Sequence, residues 1–189
     1  MFIIKNSLGQ SHDIISQVVT EGDTVIDATA GNGNDTVFLA GLVKDSGKVY
    51  SFDIQQQALE KTKKRLSEKG FADRVELIND GHQNMGLYVK TGVKAVMFNL
   101  GYLPGGNHNI GTKGETTIKA IEKAMELLKV SGVISIVVYY GGDSGFDEKE
   151  EVLEYIKRID FKKFSVLQSE FVNQPNCPPI LVCIQKYSE

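Results

Sequence analysis

Two hydrophobic periodicities follow each other in turn along this chain. Apolar residues three or four positions apart predict helices at residues 8–20, 35–44, 55–69, 114–129 and 148–159. Short apolar runs between them predict strands at residues 24–28, 48–53, 75–78, 95–100, 132–140, 164–171 and 180–185. Gly70 directly follows the helix predicted at residues 55–69, where glycine commonly ends a helix.

Alternation of strands and helices, with strands that are apolar throughout, predicts a parallel sheet covered by helices on both faces. The last two strands are joined only by VNQPNCPP, a loop that suits an antiparallel hairpin. We therefore expect one α/β domain, Rossmann-like, spanning residues 1–189, with residues 1–22 as a helical lead-in. Its sheet has seven mostly parallel strands, the last one antiparallel. This arrangement resembles that of class I S-adenosylmethionine-dependent methyltransferases.

Composition narrows the class of protein without naming a function. The 189 residues carry a net charge of −3, which argues against a protein that coats nucleic acid by bulk electrostatics. Cys177 and Cys183 show no metal-ligand spacing, so we expect reduced thiols and no metal. No apolar run approaches the roughly 18 residues of a membrane span, and the N-terminus lacks the apolar core of a signal peptide. The expected location is the cytoplasm.

The loop DATAGNGNDT, residues 27–36, joins the first strand to the next helix and contains the first candidate ligand site. A dinucleotide-binding loop would carry a third glycine where this chain has Thr36. A sulfonium cofactor that bears a free amino acid needs carboxylate and amide acceptors rather than a pyrophosphate cradle. Asp35 suits either the helix N-terminus or a ligand. The side chains that could supply these acceptors are Asp27, Asn32 and Asn34.

Two further loops end at the same edge of the predicted sheet, where open α/β sheets bind their ligands. Asp53 follows the second strand at the position where an acidic side chain binds ribose hydroxyls, and Gln55 lies beside it. After the third strand, Asp80 could bind an adenine amino group, and Gly81 or His82 could offer backbone groups. An ordinary turn is the alternative for this Asp-Gly pair.

The fourth loop, NLGYLPGGNHN at residues 99–109, resembles the motif in which amino-group methyltransferases hold their target nitrogen. In that motif an Asn or Asp precedes two prolines and an aromatic residue. This chain has Asn99 and Tyr102, but Pro104 is displaced two places beyond the tyrosine. Asn99 is the candidate that orients the reacting nitrogen, and Tyr102 is the candidate that stacks on the base. An ordinary Gly/Pro loop is the alternative interpretation.

Several motifs together resemble one small family, the rRNA methylase family of class I methyltransferases. They are DATAGNGNDT, FDIQ, NLGYLPGG, ETTIKAIEKAMELL, VVYYGG and FVNQPNCPP, which extend over nearly the whole chain. The family includes the bacterial enzyme that methylates 5-aminomethyl-2-thiouridine at the tRNA wobble position. Its loop usually reads GNGHDT, so Asn34 occupies the histidine position here. The resemblance implies S-adenosylmethionine contacts from Asn32, Asn34, Asp53, Gln55, Gly81 and His82. It places Tyr139, Tyr140, Asn173, Gln174 and Asn176 on the substrate side.

The resemblance also implies a tRNA anticodon loop as the partner, whose wobble base is already single-stranded and cheap to extrude. Possible phosphate contacts are Lys5, Lys90, Lys113, Lys119 and Lys123. A homodimer would extend the RNA-contacting surface. His82 and His108 are possible proton acceptors, although neither is needed as a dedicated base.

Four other functions remain open at this stage. An rRNA methyltransferase and a small-molecule methyltransferase would use the same cofactor loop. A dinucleotide-dependent dehydrogenase is disfavoured by Asn32, Asn34 and Thr36 in that loop. A catalytically silent module that binds RNA or a protein partner is disfavoured by the complete set of cofactor-loop residues.

Overall fold

The computed structural model describes residues 3–90, 92–101, 111–141 and 145–188. Within them lie seven strands and six α-helices. The strands are β1 Thr24–Asp27, β2 Lys48–Phe52, β3 Val75–Ile78, β4 Val93–Leu100, β5 Leu128–Val138, β6 Phe164–Ser169 and β7 Ile180–Lys186. The helices are α1 Ser7–Val18, α2 Asn34–Val43, α3 Gln56–Lys69, α4 Met85–Tyr88, α5 Gly114–Leu127 and α6 Gly145–Ile156.

The seven strands form one sheet in the order β3-β2-β1-β4-β5-β7-β6. The first five strands run parallel, and β7 runs antiparallel to both β5 and β6. The predicted fold class, mostly parallel with the last strand reversed, is therefore confirmed. In this order β1 and β4 are neighbours at the centre of the sheet. The strand order therefore reverses beside β1, and such sheets bind their ligands at this switch point.

Both faces of the sheet are covered because successive strand side chains point to opposite sides. Val25 packs with Ile15, Leu39 and Leu66 from the helices on one face. Its neighbour Ile26 belongs to the core of the other face, which contains α5 and α6. The double cover explains why the strands are apolar throughout.

Helix α1, the predicted lead-in, packs on the sheet rather than preceding it as a separate arm. Ile15 is completely buried, and the hydroxyls of Ser11 and Ser135 are hydrogen-bonded over 2.6 Å. The hydroxyl of Ser7 donates to the carbonyl of Pro179 in the loop before β7. These contacts hold the N-terminal helix against the half of the sheet that contains β5 and β7. Within the described part of the chain, no helix combines the length and apolar character needed to cross a bilayer.

Element boundaries differ from the sequence predictions mainly after the fourth strand. Residues 128 and 129 were predicted to continue the preceding helix, but they begin β5 instead. Leu128 is buried and pairs with Val93, and a bulge between Val93 and Ala95 absorbs the extra residues. Tertiary pairing thus overrides local helix propensity. Helix α6 begins and ends three residues earlier than predicted.

Gly70 takes the predicted cap position in the left-handed conformation, with φ +70°, and its N–H bonds the last turn of α3. The four-residue helix α4 and the two 3₁₀ turns at Ala72–Arg74 and His82–Asn84 were not predicted. Each is too short to show a helical period in the sequence.

Candidate active site

Hydrogen bonds join the loops that follow β1, β2 and β4 into one surface at the carboxyl edge of the sheet. The N–H of Ala30 donates to the carbonyl of Phe52 over 2.8 Å, which ties the first loop to β2. The N–H of Asn99 donates to the hydroxyl of Thr29 over 2.7 Å, which ties the same loop to the end of β4. The first loop is therefore fixed between its two neighbours before any ligand binds.

A close approach to α3 requires glycine at position 33 of this loop. Gly33 has φ +80° and is the N-cap of α2. A Cβ atom there would lie 2.7 Å from the hydroxyl oxygen of Thr62, which is closer than real contacts allow. Any larger side chain would both strain the backbone and push α3 away from the loop.

Asp27 lies beneath the loop, with no exposed surface. Its oxygens accept hydrogen bonds from the Thr36 hydroxyl over 2.6 Å and from the Thr29 N–H over 3.1 Å. Burial, and then the nearby charge of Asp35, raises the pKa of Asp27 to about 7. Asp27 therefore shapes the loop through these hydrogen bonds. Its predicted direct contact with the cofactor stays a prediction, and the complete burial of the side chain disfavours it.

The two asparagines of the loop face different surroundings. Asn32 is half-buried in the turn between β1 and α2. Asn34 is exposed, and its carbonyl oxygen accepts a hydrogen bond from the guanidinium of Arg65 on α3. This bond turns the Asn34 side chain toward the neighbouring helix, so of the two asparagines Asn32 is better placed for a ligand.

Asp53 occupies the predicted ribose-binding position at the end of β2. It is half-buried, and its two oxygens accept the backbone N–H groups of Gly31 and Gln55, each over 2.8 Å. Desolvation by burial raises the pKa of Asp53. A carboxylate has about four acceptor sites, so both oxygens keep capacity for hydroxyl donors. Gln55 itself is half-buried at the start of α3.

The loop after β3 is internally bonded through Asp80. Its oxygens accept hydrogen bonds from the N–H of Gly81, the amide of Asn84 and the hydroxyl of Tyr88, over 2.7, 2.8 and 2.9 Å. The hydrogen bond donated by the side-chain amide of Asn84 is the main cause that lowers the pKa of Asp80. The group is therefore a carboxylate at neutral pH. The predicted adenine contact would have to share these oxygens with the loop.

His82 is buried, and its Nδ1 lies 3.2 Å from the carbonyl oxygen of Ala28. Because a carbonyl only accepts hydrogen bonds, Nδ1 carries the proton of the neutral ring. Burial lowers the pKa of His82 to about 4, which makes it a weak base at neutral pH. The side chain therefore ties the third loop to the first and is a poor proton acceptor.

Asn99 lies between the buried residues Phe98 and Leu100 at the end of β4, and the two ends of its amide have different surroundings. Nδ2 donates to Oδ2 of Asp35, a side chain only 4% exposed. Oδ1 is buried and has no hydrogen-bond partner among the described residues. Because buried acceptors are nearly always satisfied, this oxygen is a candidate to accept a hydrogen bond from a ligand.

His12, on α1, completes this cluster, and its role was not predicted from the sequence. Its Nε2 donates to Oδ1 of Asp35 over 2.7 Å, and its ring stacks on Phe38 with centroids 3.9 Å apart. No spacing in the sequence links residue 12 to residue 35, because the contact arises only when α1 packs beside the N-terminus of α2.

Tyr139 lies beside this cluster, since its N–H donates to the carbonyl of Leu100 over 3.2 Å. Its ring is 43% exposed, and its pKa is raised by burial and then by the charge of Asp35. Tyr140 instead packs edge-to-face on Phe146, with the ammonium of Lys149 4.3 Å from its ring centroid. The structure brings the first tyrosine to the end of β4 and the second to α6.

The other predicted substrate residues lie on the β6–β7 loop. Asn173, Gln174 and Asn176 are exposed, and Asn176 has φ +63°. Burial raises the pKa of Tyr140, and electrostatic interactions with Cys177 and Glu170 raise it further, so this loop lies near the end of β5. The predictions for Tyr102 and His108 lie outside the described residues.

The acidic side chains at this edge fit the predicted sulfonium cofactor. Asp53 and Asp80 are half-buried in the loops that end there, and Asp27 and Asp35 are buried beside the first loop. An acidic site favours a cationic ligand with a free ammonium group. The described residues contain no cluster of three or more His, Cys, Asp or Glu side chains that could hold a metal ion.

Comparisons with known proteins give a consistent picture. A family model described as "Putative rRNA methylase" matches residues 49–185. A Clostridium thermocellum crystal structure of the same description is 62% identical, has a TM-score of 0.97, and covers 98% of this chain and 100% of its own. A Streptococcus mutans structure in complex with S-adenosylhomocysteine is 46% identical, with a TM-score of 0.90, and covers 97% and 99%. The Arabidopsis thaliana chloroplastic tRNA (mnm5s2U34)-methyltransferase is 38% identical over 98% of this chain and 72% of its own.

Proposed function

The chain belongs to the rRNA methylase family and is an S-adenosylmethionine-dependent methyltransferase, and from this premise we propose that it N-methylates an aminomethyl group on RNA. The specific substrate we propose is 5-aminomethyl-2-thiouridine at the wobble position of tRNA. Support comes from the Arabidopsis relative, which carries that activity in its name and aligns with 98% of this chain.

The observation that supports an amine substrate is the buried Oδ1 of Asn99, which has no hydrogen-bond partner in the described part of the chain. An attacking amine still bears N–H donors, and one of them would satisfy this buried acceptor while the nitrogen lone pair stays free. The nitrogen gains positive charge as it is methylated, so its N–H becomes a stronger donor. A hydrogen bond that strengthens in this way stabilises the transition state more than the ground state.

Residues of the first three loops would hold the cofactor, which when bound supplies the electrophilic methyl group. Asp53 would accept the ribose hydroxyls, and the loop of residues 80–82 would line the adenine. Asn32 would face the amino-acid end, above the buried Asp27. Asn99 and Tyr139 would then border the side from which the amine approaches.

Proton release needs no dedicated base in this arrangement. Burial lowers the pKa of His82 to about 4, so the neutral ring is a poor acceptor for a second proton at neutral pH. Asp35 has both oxygens occupied, by His12 and Asn99. The amine would therefore enter in its neutral form and release its proton to solvent after transfer, which predicts faster turnover as pH rises toward the pKa of the free amine.

The RNA-contacting surface would lie around the same edge, as part of this proposal. Lys119 and Lys123 on α5 form ion pairs with Glu115 and Glu126 of the same helix, and Lys5 pairs with an aspartate on α1. Exposed pairs of this kind contribute little, so phosphate groups could replace the carboxylates. Lys113 and Lys90, a homodimer and a cytoplasmic location stay parts of the proposal as well.

Methyl transfer to defined RNAs tests the function. We expect labelled methyl groups to enter tRNA that carries the aminomethyl wobble base, and nucleoside mass spectrometry to show one added methyl group there. The same tRNA with its wobble amine already methylated is the matched control. Labelling of rRNA, with none of tRNA, would overturn the substrate assignment while keeping the enzyme class.

The variant Asn99→Ala tests the site. We expect turnover to fall about 100-fold, because one preorganised hydrogen bond at the reacting atom is commonly worth that much. Affinity for S-adenosylhomocysteine, measured by calorimetry, should stay near the wild-type value. Undiminished turnover would refute the role of Asn99.

A further inference from the structure

We propose that Asp35 and His12 are positioning residues that set the orientation of the Asn99 side-chain amide. In this orientation Oδ1 faces the substrate amine that receives the methyl group. The inference deepens the proposed function and rests on it for the identity of the amine. Its structural part, the fixed orientation of the amide, stands on contacts within the protein alone.

The orientation follows from the hydrogen-bonding capacity of a carboxylate. An ionised carboxylate only accepts, whereas an amide has one end that donates and one that accepts. Asp35 therefore selects Nδ2 of Asn99 as its neighbour. Turning the amide over would place Oδ1 against a carboxylate oxygen, with two lone pairs facing each other and a buried N–H without a partner.

His12 fixes the carboxylate in turn. Its Nε2 donates to Oδ1 of Asp35 over 2.7 Å, so that Oδ2 is the oxygen left for Asn99. Stacking on Phe38, with ring planes only 4° apart, restricts rotation of the imidazole. The three side chains therefore form one directed chain of donors and acceptors from α1 through α2 to the end of β4.

The backbone holds both ends of this chain in place. The main-chain N–H of Asn99 is bonded to the hydroxyl of Thr29, so the amide pivots on a fixed residue. Next to His12, Ser11 bonds Ser135 of β5 over 2.6 Å, which anchors α1 to the sheet. Oδ1 of Asn99 consequently has a defined position before substrate arrives, and such preorganisation is what transition-state stabilisation requires.

The variant Asp35→Asn tests the carboxylate with almost no change of shape. An amide at position 35 can face Asn99 with either end, so the preference for one orientation is lost. We expect turnover to fall about 10- to 100-fold, with little change in KM for tRNA or in cofactor affinity. Glu21→Gln is the control, because it removes one exposed carboxylate from the turn after α1, where it pairs with Lys44, and should leave turnover unchanged.

A signal from the free protein separates this proposal from the proposed function. In wild-type protein, a side-chain Nδ2 proton of Asn99 donated to a carboxylate should resonate downfield and exchange slowly with solvent. The resonance is assigned by its loss in Asn99→Ala. It should move upfield and exchange faster in Asp35→Asn but not in Glu21→Gln. If these shifts are seen but the protein does not methylate tRNA, the proposed substrate is wrong and the positioning role of Asp35 stands.

A pair of variants at position 12 provides the second test, in case Asp35→Asn does not fold. Phenylalanine keeps the stack on Phe38 but cannot donate, whereas glutamine places an amide donor near the position of Nε2. We expect His12→Phe to lower turnover and shift the Asn99 resonance, and His12→Gln to restore part of both. Equal behaviour of the two variants, or an unshifted resonance in the variants at 12 and 35, would overturn the proposal.

Discussion

The carboxylate of Asp53 accepts a hydrogen bond from the backbone N–H of Gly31 over 2.8 Å, linking the end of β2 to the glycine loop after β1. Its other oxygen accepts the N–H of Gln55 at the start of α3. One side chain thus shapes the loop and also offers its remaining acceptor capacity to a ligand. Loss of this group would release the loop and remove the proposed ribose contact at the same time.

We therefore expect Asp53→Ala to weaken binding of S-adenosylhomocysteine by at least about 10-fold, since hydrogen bonds to a charged group are worth about 1.5–3 kcal/mol each. Calorimetric titration measures the Kd directly. Asp73→Ala, which removes an exposed carboxylate from the 3₁₀ turn before β3, is the matched control. Equal affinities for the two variants would exclude Asp53 from the cofactor site.

The sequence predicted the sheet because its signals are local and repeated. Each strand shows a short apolar run, and each long helix an apolar face, so the order of elements and the final hairpin follow from pattern alone. The failure at Leu128 and Lys129 has the opposite origin, because pairing with β4 decides the state of these residues and no local signal reports that pairing.

The candidate site was predictable only where a loop follows a strand. Asp53, Asp80 and Asn99 all come directly after or at the end of strands, so their meeting at one edge follows from topology. The burial of Asp27 and the turn of Asn34 toward Arg65 depend on how α2 and α3 pack, which a loop sequence does not encode. His12 reaches the site from a distant helix, and its contribution required the tertiary structure.

Asp27 should make the protein less stable as pH rises through the weakly acidic range. Burial is the main cause that raises its pKa in the folded protein to about 7, from an ordinary value of 3.8. Between these values the folded state keeps a proton that the unfolded state has released, so the free energy of unfolding falls with rising pH. We expect Asp27→Asn, which cannot ionise, to lack this contribution.

Urea denaturation of both proteins at intervals from about pH 4 to pH 8 measures the effect. Wild type should lose stability relative to Asp27→Asn up to about pH 7, and the difference should then level off. A difference that is constant across this range would show that Asp27 is already ionised in the folded protein.

His82 should have the opposite effect over an overlapping range. Burial lowers its pKa from 6.5 to about 4, so between these values the unfolded state binds a proton that the folded state does not. Acidification through this range therefore lowers the free energy of unfolding. We expect His82→Gln to lose less stability than wild type between pH 6.5 and about pH 4, measured by the same denaturation series. Parallel curves would mean that the buried ring accepts a proton without unfolding.

Thr112 connects the end of β4 to the start of α6. Its hydroxyl accepts the N–H of Gly101 over 2.9 Å and donates to the carboxylate of Glu148 over 2.6 Å. Its own N–H donates to the carbonyl of Gly101 over 3.1 Å. Gly101 is two residues from Asn99, so we expect these hydrogen bonds of Thr112 to help fix the position of the Asn99 side chain.

We expect Thr112→Val to lower turnover about 10-fold with unchanged affinity for S-adenosylhomocysteine. Valine keeps the shape of the side chain but loses both hydrogen bonds of the hydroxyl, so Gly101 should shift beside the reacting site. Burial raises the pKa of Glu148, and the lost donor should raise it further, since the hydroxyl of Thr112 favours the charged form. Thr116→Val is the matched control, because this half-buried threonine donates its hydroxyl to the carbonyl of Lys113 in its own helix turn. Full turnover in Thr112→Val would show that the hydrogen bonds to Thr29 and Asp35 hold Asn99 without help from Thr112.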